Sequence, residues 1–215
     1  MSENSRESLK TAKNEIIAEF KTIEPDLVIL LQATDDAESV MSTSDQKALI
    51  NAVYSAHNGV FRMSPDIENL VETSNNVARV EAKDGKMEVL CLTRSSVESG
   101  KWDMANTLTA TFEMAGFSVS TGGSYPGWKP NRDSEILVVL ENKYEELFNE
   151  KPHVMACHAG LECGILGTNY PEMDMISFGP TIKGAHSPDE RASISSAQKY
   201  WKFTKEVLKS IPMKN

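Results

Sequence analysis

Cysteine is scarce in this 215-residue chain, and what there is does not pair: Cys91, Cys157 and Cys163 are odd in number and form no close CxxC. That excludes a disulfide framework and fits reduced thiols. Long apolar runs are missing too. Leu27 to Leu31 is far shorter than the ~20 residues of a membrane-spanning helix, and the polar start Met1 to Lys10 offers no signal-peptide core. A cytoplasmic protein without a membrane partner is expected. Positive charge is in deficit: 22 Lys and Arg against 31 Asp and Glu give a net charge of -9 and a pI near 5.0. The mean field of such a protein repels nucleic acid and anionic membrane surfaces. What is present is ordinary globular material, 40% hydrophobic and 25% charged, enough for one large domain or two modest ones.

Periodicity divides the chain into elements. Leu9, Ala12, Ile16, Ile17 and Phe20 recur at helical steps and predict a helix that Pro25 closes. A β-like run follows from Asp26 to Ala33. Thr43-Ser44-Asp45-Gln46 supplies the cap and first turn of a second helix through Ala56, which Asn58-Gly59 ends. Val71 to Val80 and Lys86 to Thr93 read as strands on either side of Asp84-Gly85, a tight-hairpin pair, so they are expected to be antiparallel neighbours. A third helix from Gly100 to Ala115 takes Gly116 as its C-terminal cap, and Phe117 to Thr121 is strand-like. This order predicts an α+β arrangement, a sheet with helices on one face.

Gly122 to Pro130 breaks all periodicity and is expected to be the domain boundary, separating residues 1–122 from 123–215. Beyond it come a helix over Ser134 to Phe148, a buried strand over His153 to Cys157, and a glycine-rich turn with a short helix near Gly160 to Leu166. A strand over Asp174 to Phe178 and a last helix over Ile194 to Ser210 follow. Alternating helix and strand suggests part of an α/β layer, whose sheet two strands do not complete.

Several residues could carry chemistry. His186 lies in the stiff turn Gly179-Pro-Thr-Ile-Lys-Gly-Ala-His186-Ser-Pro-Asp-Glu190, where it could ligate a metal or simply hydrogen-bond Asp189 or Glu190. A hydrolytic metal site needs about three protein ligands. In His158-Ala-Gly-Leu-Glu-Cys-Gly164, Glu162 could hold a substrate ammonium group, or rest at a helix N-terminus stabilised by the dipole. Asn76 and Arg94, on the two hairpin strands, could reach one ligand together, Arg being the natural fork for a carboxylate or oxyanion; a cross-strand surface pair is the plainer alternative. Cys163 with His158 invites a cysteine-nucleophile reading, against which stands the usual burial of cysteine. Cys91, between Leu90 and Leu92, is expected to face out of the core.

These segments also carry a family resemblance. Asn58-Gly-Val60, Val71-Glu-Thr-Ser-Asn-Asn-Val77, Tyr125-Pro-Gly-Trp128, His158 to Gly164, Tyr170-Pro-Glu-Met-Asp-Met175 and Gly179 to Glu190 resemble, in consistent order over nearly the whole chain, the C-terminal half of aminoacyl-histidine dipeptidases. Those are Xaa-His, or carnosine-type, dipeptidases of the di-zinc peptidase superfamily that includes carboxypeptidase G. The resemblance implies an α+β lid and dimerisation domain over 1–122, followed by the C-terminal part of an α/β zinc-peptidase catalytic domain over 123–215. It also implies a homodimer, two zinc ions in the complete enzyme, and dipeptides as substrates. His186 matches the last zinc ligand, Asn76 and Arg94 match substrate-contacting lid positions, and Gly160 and Glu162 match the loop holding the substrate's ends.

The departures are large. The family's His-x-Asp motif and its paired glutamates, which give a ligand and the general base, have no counterpart in suitable context, since Glu145-Glu146 falls on a surface helix. The early-lid histidine that reaches into the partner's site has no match unless His57 supplies it. The chain is therefore expected to be a fragment of a metal-dependent dipeptidase, catalysing little or nothing alone. The alternatives are a non-catalytic homodimerisation and substrate-binding module, or a cysteine hydrolase using Cys163 and His158.

Overall fold

Residues 3–35, 37, 39–131, 133–156 and 161–211 are described by a computed structural model. Their contacts divide the chain into two units, Met1–Met41 and Ser42–Asn215. In the first, α1 (Glu3–Phe20) buries none of its residues, and its apolar stripe Leu9, Ile16 and Phe20 stays exposed. The expected strand over 26–33 begins in a turn, where Leu27 N–H donates to Glu24 O at 3.1 Å, and has no ladder partner among the described residues. Alternating apolar residues give only the inclination; a strand forms when a neighbour supplies hydrogen-bonding groups.

The second unit begins with α2 (Thr43–Ser55), capped by Ser42, whose Oγ accepts from the Asp45 N–H at 3.1 Å. Strands β1 (Gly59–Met63), β2 (Val71–Lys83) and β3 (Lys86–Ser95) form an antiparallel sheet in the order β1-β2-β3. Asp84 and Gly85, at φ 52° and 71°, make the predicted hairpin, both residues being left-handed as a turn of that hand requires. Strand β1 was not foreseen, because Asn58-Gly59 reads as a stop. Gly59 instead opens the strand at φ 103°, and the Asn58 side chain accepts the Val77 N–H at 2.8 Å.

Helix α3 (Glu98–Met114) lies with α2 on one sheet face, joining Ala52, Ala56, Met104, Leu108 and Phe112 in a core that Phe61, Val77, Val89 and Cys91 flank. Cys91 thus packs against the core, contrary to expectation, while its neighbours Leu90 and Leu92 face out. The α3 terminus is a Schellman motif: Phe117 N–H donates to Phe112 O at 3.0 Å and Gly116 N–H to Glu113 O at 2.9 Å. The rings of Phe112 and Phe117 close it edge-on at 5.7 Å. Residues 117–121 then run over the core through Phe117 and Val119 without pairing as the expected strand.

Helices α4 (Glu135–Phe148), α5 (Glu162–Asn169) and α6 (Ile194–Lys209) follow, with a two-residue pairing of β4 (Ile182–Lys183) and β5 (Arg191–Ala192). Helices α4 and α6 meet through Tyr144, Phe148 and Phe203, to which Phe178 adds its ring. Lys199 Nζ lies over the Phe148 ring at 4.4 Å and bonds Tyr144 Oη and Glu150. The strands expected over 153–157 and 174–178 do not form in their described residues, and Val154 and Met155 are exposed rather than buried. Asp174 caps α4 instead. Its Oδ2 accepts from Ser134 Oγ and the Ile136 N–H, each at 2.9 Å. Among the described residues no helix is long and apolar enough to cross a membrane.

Two consequences can be measured. Met104 is fully buried, so Met104→Ala is expected to cost about 2–5 kcal/mol in urea unfolding, with the midpoint lowered and the slope unchanged. The Ile136 N–H, ahead of the opposing effect of burial and with help from the Ser134 hydroxyl, holds the Asp174 carboxyl below its ordinary range. A depressed carboxylate stabilises above its unfolded pKa and stops doing so as the pH falls through the folded one. The melting-temperature gap between wild type and Asp174→Ala should therefore be widest at neutral pH and close in acid.

Candidate substrate-side site

The sheet places Asn76 and Arg94 on one exposed face. Arg94 opposes Ser74 and Asn76 opposes Leu92, which makes the amide and the guanidinium diagonal neighbours. A bulge produces this. From Lys83↔Lys86 the register runs to Arg79↔Leu90 and then slips to Val77↔Cys91. Without the slip, Asn76 would oppose Thr93 and point at the helices, since a one-residue shift turns every side chain over.

The opposite face of the same strand ends is fastened by buried polar groups. Thr73 Oγ1 and Ser95 Oγ are 2.8 Å apart, Thr93 Oγ1 donates to Asn75 Oδ1 at 3.0 Å, and Asn75 Nδ2 donates to His57 O at 2.8 Å. Glu72, with its side chain only 7% exposed, is paired with Arg62, whose Nε donates at 2.5 Å. A β-carbon on Gly100 would lie 2.6 Å from Arg62 Nη2 and 2.7 Å from Thr73 Oγ1, so only glycine lets α3 settle on this cluster. Sequence reasoning missed Glu72 and Gly100; the signal was a lone acid at the start of a strand and a glycine inside a helix. A buried acid with an arginine partner is expensive to break, which keeps the Arg94 end of the sheet rigid.

The remaining candidates stand apart. Glu162 is the first residue of α5 and is exposed, a position the helix dipole favours. Gly160, Cys157 and His158 lie outside the described residues. His186 sits at φ 64° in the turn between β4 and β5. Its backbone N–H, rather than its imidazole, donates to Glu190 Oε2 at 2.8 Å. The imidazole is left exposed. Among the described residues no three of His, Cys, Asp and Glu converge to hold a metal ion, so His186 and its described neighbours do not by themselves fit a zinc site. Burial pushes the Cys163 thiol up, the reverse of what a nucleophile needs. His57 packs its ring edge-on against Phe61 at 5.3 Å with Nε2 buried.

Known proteins align with this arrangement almost end to end. The cytosol non-specific dipeptidase of Escherichia coli (strain K12) is 38% identical over 208 residues, which is 96% of this chain and 43% of that protein. The crystal structure of the aminoacylhistidine dipeptidase from Vibrio alginolyticus superposes with a TM-score of 0.79 at 40% identity, covering 99% of this chain and 43% of that one. The chain thus spans less than half the length of the relatives it matches. Residues 14–210 match peptidase family M20/M25/M40, and the chain belongs to that family.

Proposed function

We propose that the chain is the substrate-side part of a metal-dependent dipeptidase acting on Xaa-His-type dipeptides. Residues 1–122 serve as lid and dimerisation domain, and 123–215 as the C-terminal part of the catalytic domain. The observation that carries the reading is the shared exposed face of Asn76 and Arg94 on a sheet whose strand ends are rigidly fastened. A guanidinium held there offers two parallel donors to a peptide carboxylate, and the amide beside it can take a neighbouring carbonyl. Glu162, with Gly160, is assigned to the opposite end of the substrate, where a carboxylate suits an ammonium group. His186 is assigned as one ligand of a zinc pair whose other ligands, like the general base, come from sequence that this chain does not contain. A metal there would supply Lewis-acid chemistry, while the chain's own residues bind and orient the dipeptide. The same reading makes the protein cytoplasmic, in keeping with the name of the Escherichia coli relative and with thiols at Cys91 and Cys163.

Purified chain incubated with zinc and alanyl-histidine should release no amino acid above the blank, and its weak zinc uptake should fall further in His186→Ala. Robust zinc-dependent cleavage by the unaided chain would overturn its assignment as a part. For the lid, sedimentation velocity across a concentration series should show a dimer. Monomer throughout would remove the dimerisation role.

A further inference from the structure

The loop read from sequence as a break between domains makes close contacts on both of its sides. Gly127 is pressed onto the backbone immediately after Arg94: a β-carbon there would lie 2.7 Å from Ser96 C and O and 2.8 Å from Ser95 O. Gly164, two residues beyond Glu162 in α5, is pressed onto the other side, where a β-carbon would collide with the Pro126 carbonyl oxygen and come within 3.2 Å of Gly127 O. Three backbones are thus stacked at distances no side chain can enter. The stack is also fastened. Glu98 Oε1 accepts the Gly127 N–H at 2.9 Å and Lys101 Nζ at 2.8 Å, and that ammonium donates to Tyr125 O at 3.0 Å. Beneath it, Ser95 is locked by its own turn, with Oγ donating to Val97 O at 2.9 Å and accepting the Val97 N–H at 3.1 Å.

We propose that Tyr125-Pro-Gly-Trp128 is a positioning joint that fixes the Arg94 end of β3 relative to α5 and Glu162, with Gly127 and Gly164 as its positioning residues and Glu98 and Lys101 as its clamp. The joint acts through the backbone and touches no substrate. Its use, which rests on the function proposed above, is to hold the group for the peptide carboxylate and the group for the ammonium at one separation, so that the loop sets the length of peptide accepted. Backbone pressed on backbone suits a ruler, because at the two glycines there is no side chain to yield by a rotamer change.

The test measures that separation directly. In the full chain with Cys91, Cys157 and Cys163 replaced by alanine, nitroxide labels at Leu92→Cys and Ile165→Cys, both exposed in the parent, report the distance by pulsed electron resonance. A single narrow peak is expected, lost on adding Gly127→Ala, Gly164→Ala or Glu98→Ala. Leu140→Ala, in the buried face of α4, should lower the melting temperature and leave the peak intact, which a merely structural role for the loop would not predict. If the glycine variants do not fold, Glu98→Ala decides. A broad distribution in the unaltered loop, or a peak unmoved by the folded variants, overturns the joint. Failure of the chain to bind a dipeptide while the peak behaves as described counts against the proposed function alone.

Discussion

Everything described in the larger unit depends on β2 having a neighbour on each side. It is the central strand of β1-β2-β3, so from Val71 to Asn75 its backbone groups are satisfied by both neighbours and its side chains are committed to alternate faces. Thr73, Asn75 and Val77 go to the helices; Ser74 and Asn76 go to the other side. The inner polar residues are tolerated only because each finds a partner, Thr73 in Ser95 and Asn75 in Thr93 and the His57 carbonyl. That satisfied row makes the strand ends stiff, and stiffness on the inner face is what gives Arg94 and Asn76 a defined place on the outer one. The same strand carries Glu72, whose pairing with Arg62 requires the bare Cα of Gly100.

Features legible in the sequence were those that local chemistry decides. Asp84-Gly85 announces its turn and Gly116 its Schellman cap, because each acts within a few residues of itself, whereas the cap of α2 is Ser42, one residue ahead of the expected Thr43 to Gln46. What could not be read was pairing. Residues 26–33, 117–121, 153–156 and 174–178 have strand-like composition, yet no described strand lies beside them. Whether extended chain becomes a strand is decided by distant sequence. Asp174 shows the other half of this, since its carboxylate serves a helix some 40 positions earlier. Cys91 was misplaced for a related reason: its two leucine neighbours suggest an apolar interior, while the register with Val77 assigns them to the outer face.

The candidate site divides along the same line. That Asn76 and Arg94 sit on adjacent strands follows from the hairpin; that they share a face follows from a bulge with no evident sequence mark. His186 was visible as a histidine in a stiff turn, but the left-handed backbone and the Glu190 bond that shape this turn were not. Glu98 and Lys101, which hold the Tyr125–Gly127 loop, carry no mark in the sequence, because their partners are a backbone N–H and a carbonyl far along the chain.

The bulge between Val77 and Arg79 also governs how such a sequence can vary over time. Substitution in the outer half of the hairpin, where Arg79, Glu81 and Glu88 form exposed ion pairs, alters little that the core depends on. Removal of a single residue at the bulge is equally mild: the register would become unbroken with Asn76 still opposite Leu92, and Thr73, Asn75 and Val77 would still face the helices. The outer half of the hairpin can therefore lose its odd residue without turning Asn76 or Arg94 to another face, and what such a sequence has to keep is the register of the strand ends rather than the length of the turn side.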